Sequence, residues 1–473
     1  MARTGSDVVR VNGGGRGGGG LDRFFKISER GSSVRTEVVA GAVTWLTMAY
    51  ILFLNPAILG AVADPTGTKL PFDQVLTVTA LVAGIATIAM GLYANYPFAI
   101  AAGLGLNGFV AFTLVASLGL TWPEAMGVIV LEGLVISVLV LTGFREAVLN
   151  AIPLDLKRAI GIGIGLFLVI IGLANAGVVV AGPNPPILGL TADFADLRML
   201  VFAVGLAIAA ILTVRRVKGG LLIAILVTTV VAIVINEIWG DSTLFGAGVA
   251  TIPDSIVSTP QFDLVGDFSF GFLGTLGIVS ALVPVFAVML SDFFDTMGTA
   301  VALGEEAGLV DEDGKLPGMK RVLLVDSLAA AAGGAASSSS NTTFIESAAG
   351  IGEGGRTGLT SLVVGGLFLL CLFISPLAGV IPPEATAPVL IIVGYFMMRA
   401  VSEIDWRDPS IGIPALLTMT LMPFTYSITN GVGAGFVSYT AIKVLQGKFA
   451  EVHPLMYLVT AGFLFYFIRG VLA

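Results

Sequence analysis

"SSSSNTTFIESAAG", residues Ser337–Gly350, is a polar run where a membrane helix belongs. Four serines, an Asn and two Thr lead to Glu346 in a chain that is 56% hydrophobic, with a mean hydropathy of +0.97. Serine, threonine and asparagine side chains bond local backbone and compete with regular helix. An ionisable residue at membrane depth costs roughly 2.5–3.5 kcal/mol on insertion scales. The stretch therefore reads as a deliberately broken segment, and its counterpart decides the fold.

That counterpart is "PFAIAAGLGLNGFVAFT", Pro97–Thr113, with Gly103, Gly105 and Gly108 around Asn107. Glycine lets backbone leave helical geometry. Unwound backbone survives at membrane depth only where protein or a water-filled cavity satisfies it. The alternative is that these small residues simply let helices approach, which leaves Asn107 and Glu346 unexplained.

Around the two breaks the chain is 473 residues long with 12% charged residues, about half the share of a soluble domain. Apolar runs of about 20 residues recur, so the chain reads as an all-α polytopic membrane protein. The expected spans are Val38–Leu59, Val75–Tyr93, the broken Pro97–Leu118, Pro123–Thr142, Leu156–Ala174, Met199–Val214 and Leu221–Ile238. The second half is Phe272–Ala302, Met319–Ala336, the broken Ser337–Gly350, Gly358–Pro376, Ala385–Ala400, Ser410–Ile428 and Gly431–Leu445. That is about fourteen by span length. Two halves of seven sit in opposite orientations, with the breaks at the third place of each. Matched interruptions of this kind point to a transporter site near the midplane. Pro454–Val471 reads as an interfacial or packed tail.

Basic residues support this order. Arg23, Lys26, Arg30 and Arg35 precede the first span and place the N-terminus in the cytoplasm. Counting forward puts Arg145, Lys157, Arg158, Arg215, Arg216, Lys218, Lys320, Arg321, Arg356, Arg399, Arg407, Lys443 and Lys448 inside. The loop carrying Asp241, Asp254, Asp263 and Asp267 falls outside; Lys69 is a minor outlier. "GGGRGGGG", Gly13–Gly20, is expected to be a flexible tail and not a signal peptide. The net charge of −8 says little about partners, because much of it lies in short loops. The single Cys371 and single His453 argue against a disulfide, a metal cage and a histidine proton relay in the membrane. If protons move, carboxylates carry them.

"LSDFFDTMGTA", Leu290–Ala300, sets Asp292 and Asp295 three apart on one helix face. Two carboxylates this close in low dielectric do not both ionise easily, so one can hold a proton near neutral pH. The alternative is a helix-end pair in cytoplasmic water. Glu132, in "VLEGLV", stands in an unbroken helix without polar company; a structural hydrogen bond or ion pair is expected there, and likewise for Asp326. "EEAGLVDEDGK", Glu305–Lys315, lacks calcium-loop spacing. "GEGGRTG", Gly352–Gly358, lacks a Walker ending. No cofactor is expected and no nucleic-acid partner, and a membrane enzyme is the least supported class.

The residues resemble the AzgA-like guanine/hypoxanthine permeases of the nucleobase–cation symporter 2 group. The likeness runs from about Leu21 to His453. It rests on "LDRFFKISERGSSVRTEVVAGAVTWLTMAYILFLNPAIL", "NYPFAIAAGLGLNGFVAFT", "FREAVLNAIP", "SDFFDTMGT", "TTFIESAAGIGEGGRTGLT", "EIDW" and "MPFTYSITNG". The resemblance implies a UraA-like fold of fourteen segments in two inverted repeats, with short strands in segments 3 and 10. A core domain would comprise residues 36–150 and 272–380, and a gate domain 151–240 and 381–448. A flexible cytoplasmic tail (1–35), an extracellular loop (241–271) and a C-terminal apolar tail (449–473) complete the chain. Related folds often pair as homodimers, but no interface follows from these residues.

The resemblance also implies proton-coupled uptake of purine bases across the plasma (inner) membrane. Asn107, Asp292 and Glu346 match substrate-contacting positions, with Gly105, Thr343 and Phe344 at the site. Asp295 matches a position tied to proton coupling, shared with Asp292. A purine offers N–H donors and ring acceptors, which suit carboxylates and an amide; Phe98, Phe109, Phe294 and Phe344 are candidates to cover its face. The chain departs from the family at Gly103–Gly108, where Gly-Met-Gly-Leu-Asn-Ala is usual. It departs again at Ser337–Phe344, where Gly-Thr-Ser-Thr-Val-Thr-Thr-Tyr is usual. A uracil or xanthine permease, an anion carrier of the same fold and a channel-like protein stand as alternatives.

Overall fold

The computed structural model describes residues 20–142, 152–181, 188–191, 196–239, 244–246, 248–253, 255–311 and 316–472. The side chains of residues 294, 378 and 469–472 lie outside that set, as do most of the glycine-rich tail, "FREAVLNA", Asp241 and Asp254. Eight helices among the described residues are long and apolar enough to cross a membrane. They are Val34–Leu59, Phe72–Ala94, Trp122–Thr142, Leu154–Asn175, Leu197–Val214, Gly220–Trp239, Ile278–Glu306 and Pro383–Glu403. Met319–Ala335, Gly358–Leu370, Pro409–Thr425, Ile428–Leu445 and Pro454–Leu472 are further helices. The protein is a multi-pass helical membrane protein.

Most expected boundaries hold within a few residues. Two helices are interrupted where the sequence suggested continuity. The first bends between Val34–Met48 and Ile51–Leu59. The eighth opens as Phe272–Thr275 and restarts at Ile278, because Gly277 takes φ +75° and breaks the ladder.

Both broken stretches contain short strands. They are β1 (Ile100–Ala102) and β4 (Asn341–Thr343), paired antiparallel with Ile100 opposite Thr343 and Ala102 opposite Asn341. Between them in sequence, β2 (Val179–Ala181) and β3 (Leu188–Leu190) form a second antiparallel pair. This one was not expected, although Gly182–Pro186 ("GPNPP") supplies a turn signal between two apolar triplets.

The serine run is what keeps the second break from being helical. Ser337 and Ser339 take φ of +58° and +72°, a region that costs an L-residue about 1–2 kcal/mol. Side chains and neighbouring strands offset this. Asn55 Nδ2 donates to the Ser338 carbonyl (3.0 Å) and Asn341 Nδ2 to the Ser339 carbonyl (3.0 Å). Ser337 Oγ donates to the Asp267 carbonyl (3.1 Å). The amides of Gly103 and Phe344 close the ladder onto Ser340 and Ala99 (3.0 and 2.8 Å).

Two packing groups flank the strand pair. In one, Trp122–Thr142 packs on Met319–Ala335, and Gly358–Leu370 packs on Phe72–Ala89 and Val34–Met48. In the other, Leu154–Asn175 packs on Pro383–Met398 and Pro409–Thr425. Small residues set the closest approaches. A Cβ on Gly358 would collide with the Gly91 backbone. Gly358→Val should therefore lower stability by about 1–3 kcal/mol, read as a lower thermal midpoint of the detergent-purified protein.

"GEGGRTG" turns out to be a capped helix start. The buried Glu37 carboxylate accepts from the amides of Arg356 (3.0 Å) and Thr357 (3.2 Å) and from Thr360 Oγ1 (2.5 Å). Those donors are thus occupied by the chain itself. Within the tail expected to be flexible through residue 35, Gly20–Phe25 is a short helix. Phe25 and Ile27 are buried against Leu359, and Arg30 donates to the carbonyls of Asn95 and Arg356. At the other end Pro454–Leu472 packs on Ile428–Leu445, with Phe463 edge-on to Phe436 at 5.8 Å.

Candidate functional site

The strand pair brings the two broken stretches together, and the functional candidates lie around it. Gly105 and Asp295 line one cavity of about 570 Å³, shared with Ile160, Ile164 and Ser291. That volume is within the roughly 300–1,000 Å³ range of small-molecule sites. A Cβ on Gly105 would lie 2.5 Å from Ile164 Cγ2, so glycine keeps this wall open. Asp295 is exposed to the cavity.

Glu346 lines a different cavity, of about 810 Å³, with Thr47, Arg216, Lys218 and Arg399. Its carboxylate accepts a hydrogen bond from the Tyr50 hydroxyl. Tyr50 is almost wholly buried. It lies in "TMAYILF" on the first span, and sequence reasoning did not single it out. Lys218 is paired with Glu353. Glu346 and Asp295 are near enough for their charges to act on each other.

Asn107 and Asp292 line neither cavity. Both are fully buried, and among the described residues neither side chain has a hydrogen bond of good geometry. Leaving a buried polar group unsatisfied costs about 1–3 kcal/mol, more for a charged one. Thr343 is engaged otherwise: its Oγ1 donates to Asp326 Oδ1 at 2.7 Å. Asp326 Oδ2 accepts from Thr296 Oγ1 at 2.6 Å, and Thr296 and Thr342 hydroxyls lie 2.6 Å apart. Asp326 thus takes the structural role expected of it.

Glu132 does not stand without polar company. It is fully buried and lies against Asp292 and Ser340. These neighbours come from other elements, so a reading along one helix could not find them. No basic group acts on it, and the expected ion pair is absent among the described residues.

Of the aromatic candidates, Phe98 stacks on Tyr96 (centroids 5.0 Å, planes 21° apart) and is fully buried. Phe109 and Phe344 are buried in the core, and the side chain of Phe294 lies outside the described residues. Sequence reasoning passed over Phe112, Phe167 and Tyr426, which meet edge-to-face at 5.6–5.9 Å. A Cβ on Gly108 would touch the Phe167 ring. Among the described residues no His, Cys, Asp and Glu group is arranged to hold a metal ion. Carboxylates that only accept, an amide that does both and an open glycine wall can orient a flat neutral molecule by its edges.

Comparison with known proteins places these residues in context. A model of the permease family matches residues 35–438. The adenine permease AdeP of Escherichia coli (strain K12) is 38% identical over 449 residues, 95% of this chain and 96% of that protein. The guanine/hypoxanthine permease PbuG of Bacillus subtilis (strain 168) is 39% identical over 452 residues, 95% of this chain and 99% of that protein. Among solved structures, the transmembrane domain of the cyanobacterial bicarbonate transporter BicA superposes with a TM-score of 0.58 at 15% identity. It covers 85% of this chain and 97% of that one. Murine Slc26a9, an anion transporter in its inward-facing state, gives 0.60 at 12% identity, covering 87% of this chain and 68% of that one. At such identities the likeness is one of fold.

Proposed function

The chain belongs to the permease family, and from that premise we propose that it imports purine nucleobases by proton symport. The observation that carries this is the pair of buried, unsatisfied side chains, Asn107 and Asp292, set behind the cavity of Gly105 and Asp295. Polar groups left unpaired at that cost are groups awaiting a partner. A purine edge supplies both donors and acceptors, and the relatives are named for adenine, guanine and hypoxanthine.

The architecture in this reading is fourteen segments in two inverted repeats, broken at segments 3 and 10. The first packing group is the core and the second the gate. The N-terminus is cytoplasmic, in the inner membrane of the cell. A proton arriving from outside occupies the Asp292/Asp295 group, which makes the site electrically tolerable, and the base then binds between Asn107, Asp292 and Glu346. The core moves against the gate, and proton loss on the cytoplasmic side weakens binding. The basic rim of Arg216, Lys218 and Arg399 around the Glu346 cavity fits a cytoplasmic mouth.

The fold likeness to anion transporters favours a second reading, an anion carrier. Five buried or cavity-lining carboxyls (Glu132, Asp292, Asp295, Asp326 and Glu346) weigh against it, because they would repel an anion. Proteoliposomes with an imposed pH gradient, acidic outside, test the proposal. Labelled hypoxanthine should accumulate, and a protonophore should abolish the accumulation. Bicarbonate uptake in place of purine uptake would overturn it.

A further inference from the structure

Glu132 is a buried carboxyl that the transport scheme leaves unused. It sits on Trp122–Thr142, fully buried, with both oxygens lacking a hydrogen-bond donor of good geometry among the described residues. Asp292, on Ile278–Glu306, has the same burial and the same lack. Trp122–Thr142 packs on Ile278–Glu306, which brings the two carboxyls near enough to interact, with Ser340 of the serine run in the same neighbourhood.

Four elements pack closely on Trp122–Thr142, the helix of Glu132. Ile278–Glu306 brings Asp292 and, one turn on, Asp295. Met319–Ala335 brings Asp326, whose oxygens are already taken by Thr296 and Thr343. Lys320 of that helix reaches the carbonyl of Leu141, about 13 Å from Glu132 along the axis by helical rise. Phe109–Ser117 and Phe272–Thr275 contribute no titratable residue. The local field is therefore wholly acidic among the described residues. Two carboxylates in contact are both acceptors, and no hydrogen bond joins them unless one carries a proton.

Resting on the proton-coupled purine reading, and replacing Asp295 by Glu132 as the carboxyl that shares the proton with Asp292, we infer that Glu132 and Asp292 form the pair that holds the coupled proton. With the proton present, one carboxyl donates to the other and Asp292 is held for the base. With the proton gone, the two repel and Asp292 is displaced from its binding position. Glu132 is then a positioning residue acting through Asp292.

Glu132→Gln tests this, because an amide donates to Asp292 at any pH and mimics the protonated partner. Wild-type and Glu132→Gln protein in proteoliposomes are compared in two assays: hypoxanthine counterflow, which needs no net proton movement, and accumulation under an inward gradient of one pH unit. The variant should keep counterflow, while accumulation drops from about tenfold to about onefold, the loss of one coupled proton. Wild-type accumulation by Glu132→Gln overturns the inference alone. Loss of counterflow by well-folded Glu132→Gln overturns it too, since Glu132 would then be needed for binding itself. Wild-type protein with no purine counterflow overturns the purine reading and this inference with it. Should Glu132→Gln fail to fold, Glu132→Asp carries the test: accumulation persists with a displaced external-pH profile, and an unchanged profile overturns the inference.

Discussion

Glu346→Gln is expected to reduce purine uptake by about a hundredfold while leaving the protein folded. A hydrogen bond to a charged group contributes about 1.5–3 kcal/mol, or roughly 10- to 150-fold. The amide turns one acceptor into a donor that opposes the N–H edge of the base. Glu346 is only half-buried and faces a cavity, so the substitution leaves packing intact. Tyr50→Phe removes only the hydroxyl that orients this carboxylate, which should cost about 1 kcal/mol, or several-fold in KM. Initial rates normalised to membrane-inserted protein check both. Near-normal uptake by Glu346→Gln would remove Glu346 from the site.

Asn107→Leu should move function and stability in opposite directions. Uptake should fall at least tenfold, because the base loses a partner that both donates and accepts. Stability should hold or rise. Both amide atoms are buried without partners, and replacing an unsatisfied polar group by an apolar one of similar size relieves about 1–3 kcal/mol. A polar group kept at a cost to the fold is the signature of a functional site. A thermal midpoint measured beside uptake separates the cases, and a large fall in midpoint would show that Asn107 is a structural residue.

How far the sequence carried these conclusions depended on the kind of contact. Span positions were legible because apolar length is a local property, and the matched breaks were legible because glycines and serines cannot hide in a greasy helix. The strand pair that joins them spans more than two hundred residues of chain, and only the family likeness pointed to it. The pairing of β2 and β3 was missed because two apolar triplets are too short to register as strands against their helical surroundings. Glu132 was misread for a related reason. Its company comes from Asp292 and Ser340, which are remote in sequence, while the residues flanking it on its own helix are apolar. Tyr50 and Thr343 show the same limit. A sequence displays a polar residue, but which other polar residue it meets is decided by how the helices pack.

The central claim is tested most directly by competition. Uptake of labelled hypoxanthine is measured at two external pH values against excess guanine, adenine, xanthine and uracil. The account predicts faster uptake at the lower pH, strong competition from at least one of guanine and adenine, and little from uracil. Uptake indifferent to external pH, or blocked best by uracil, would contradict it.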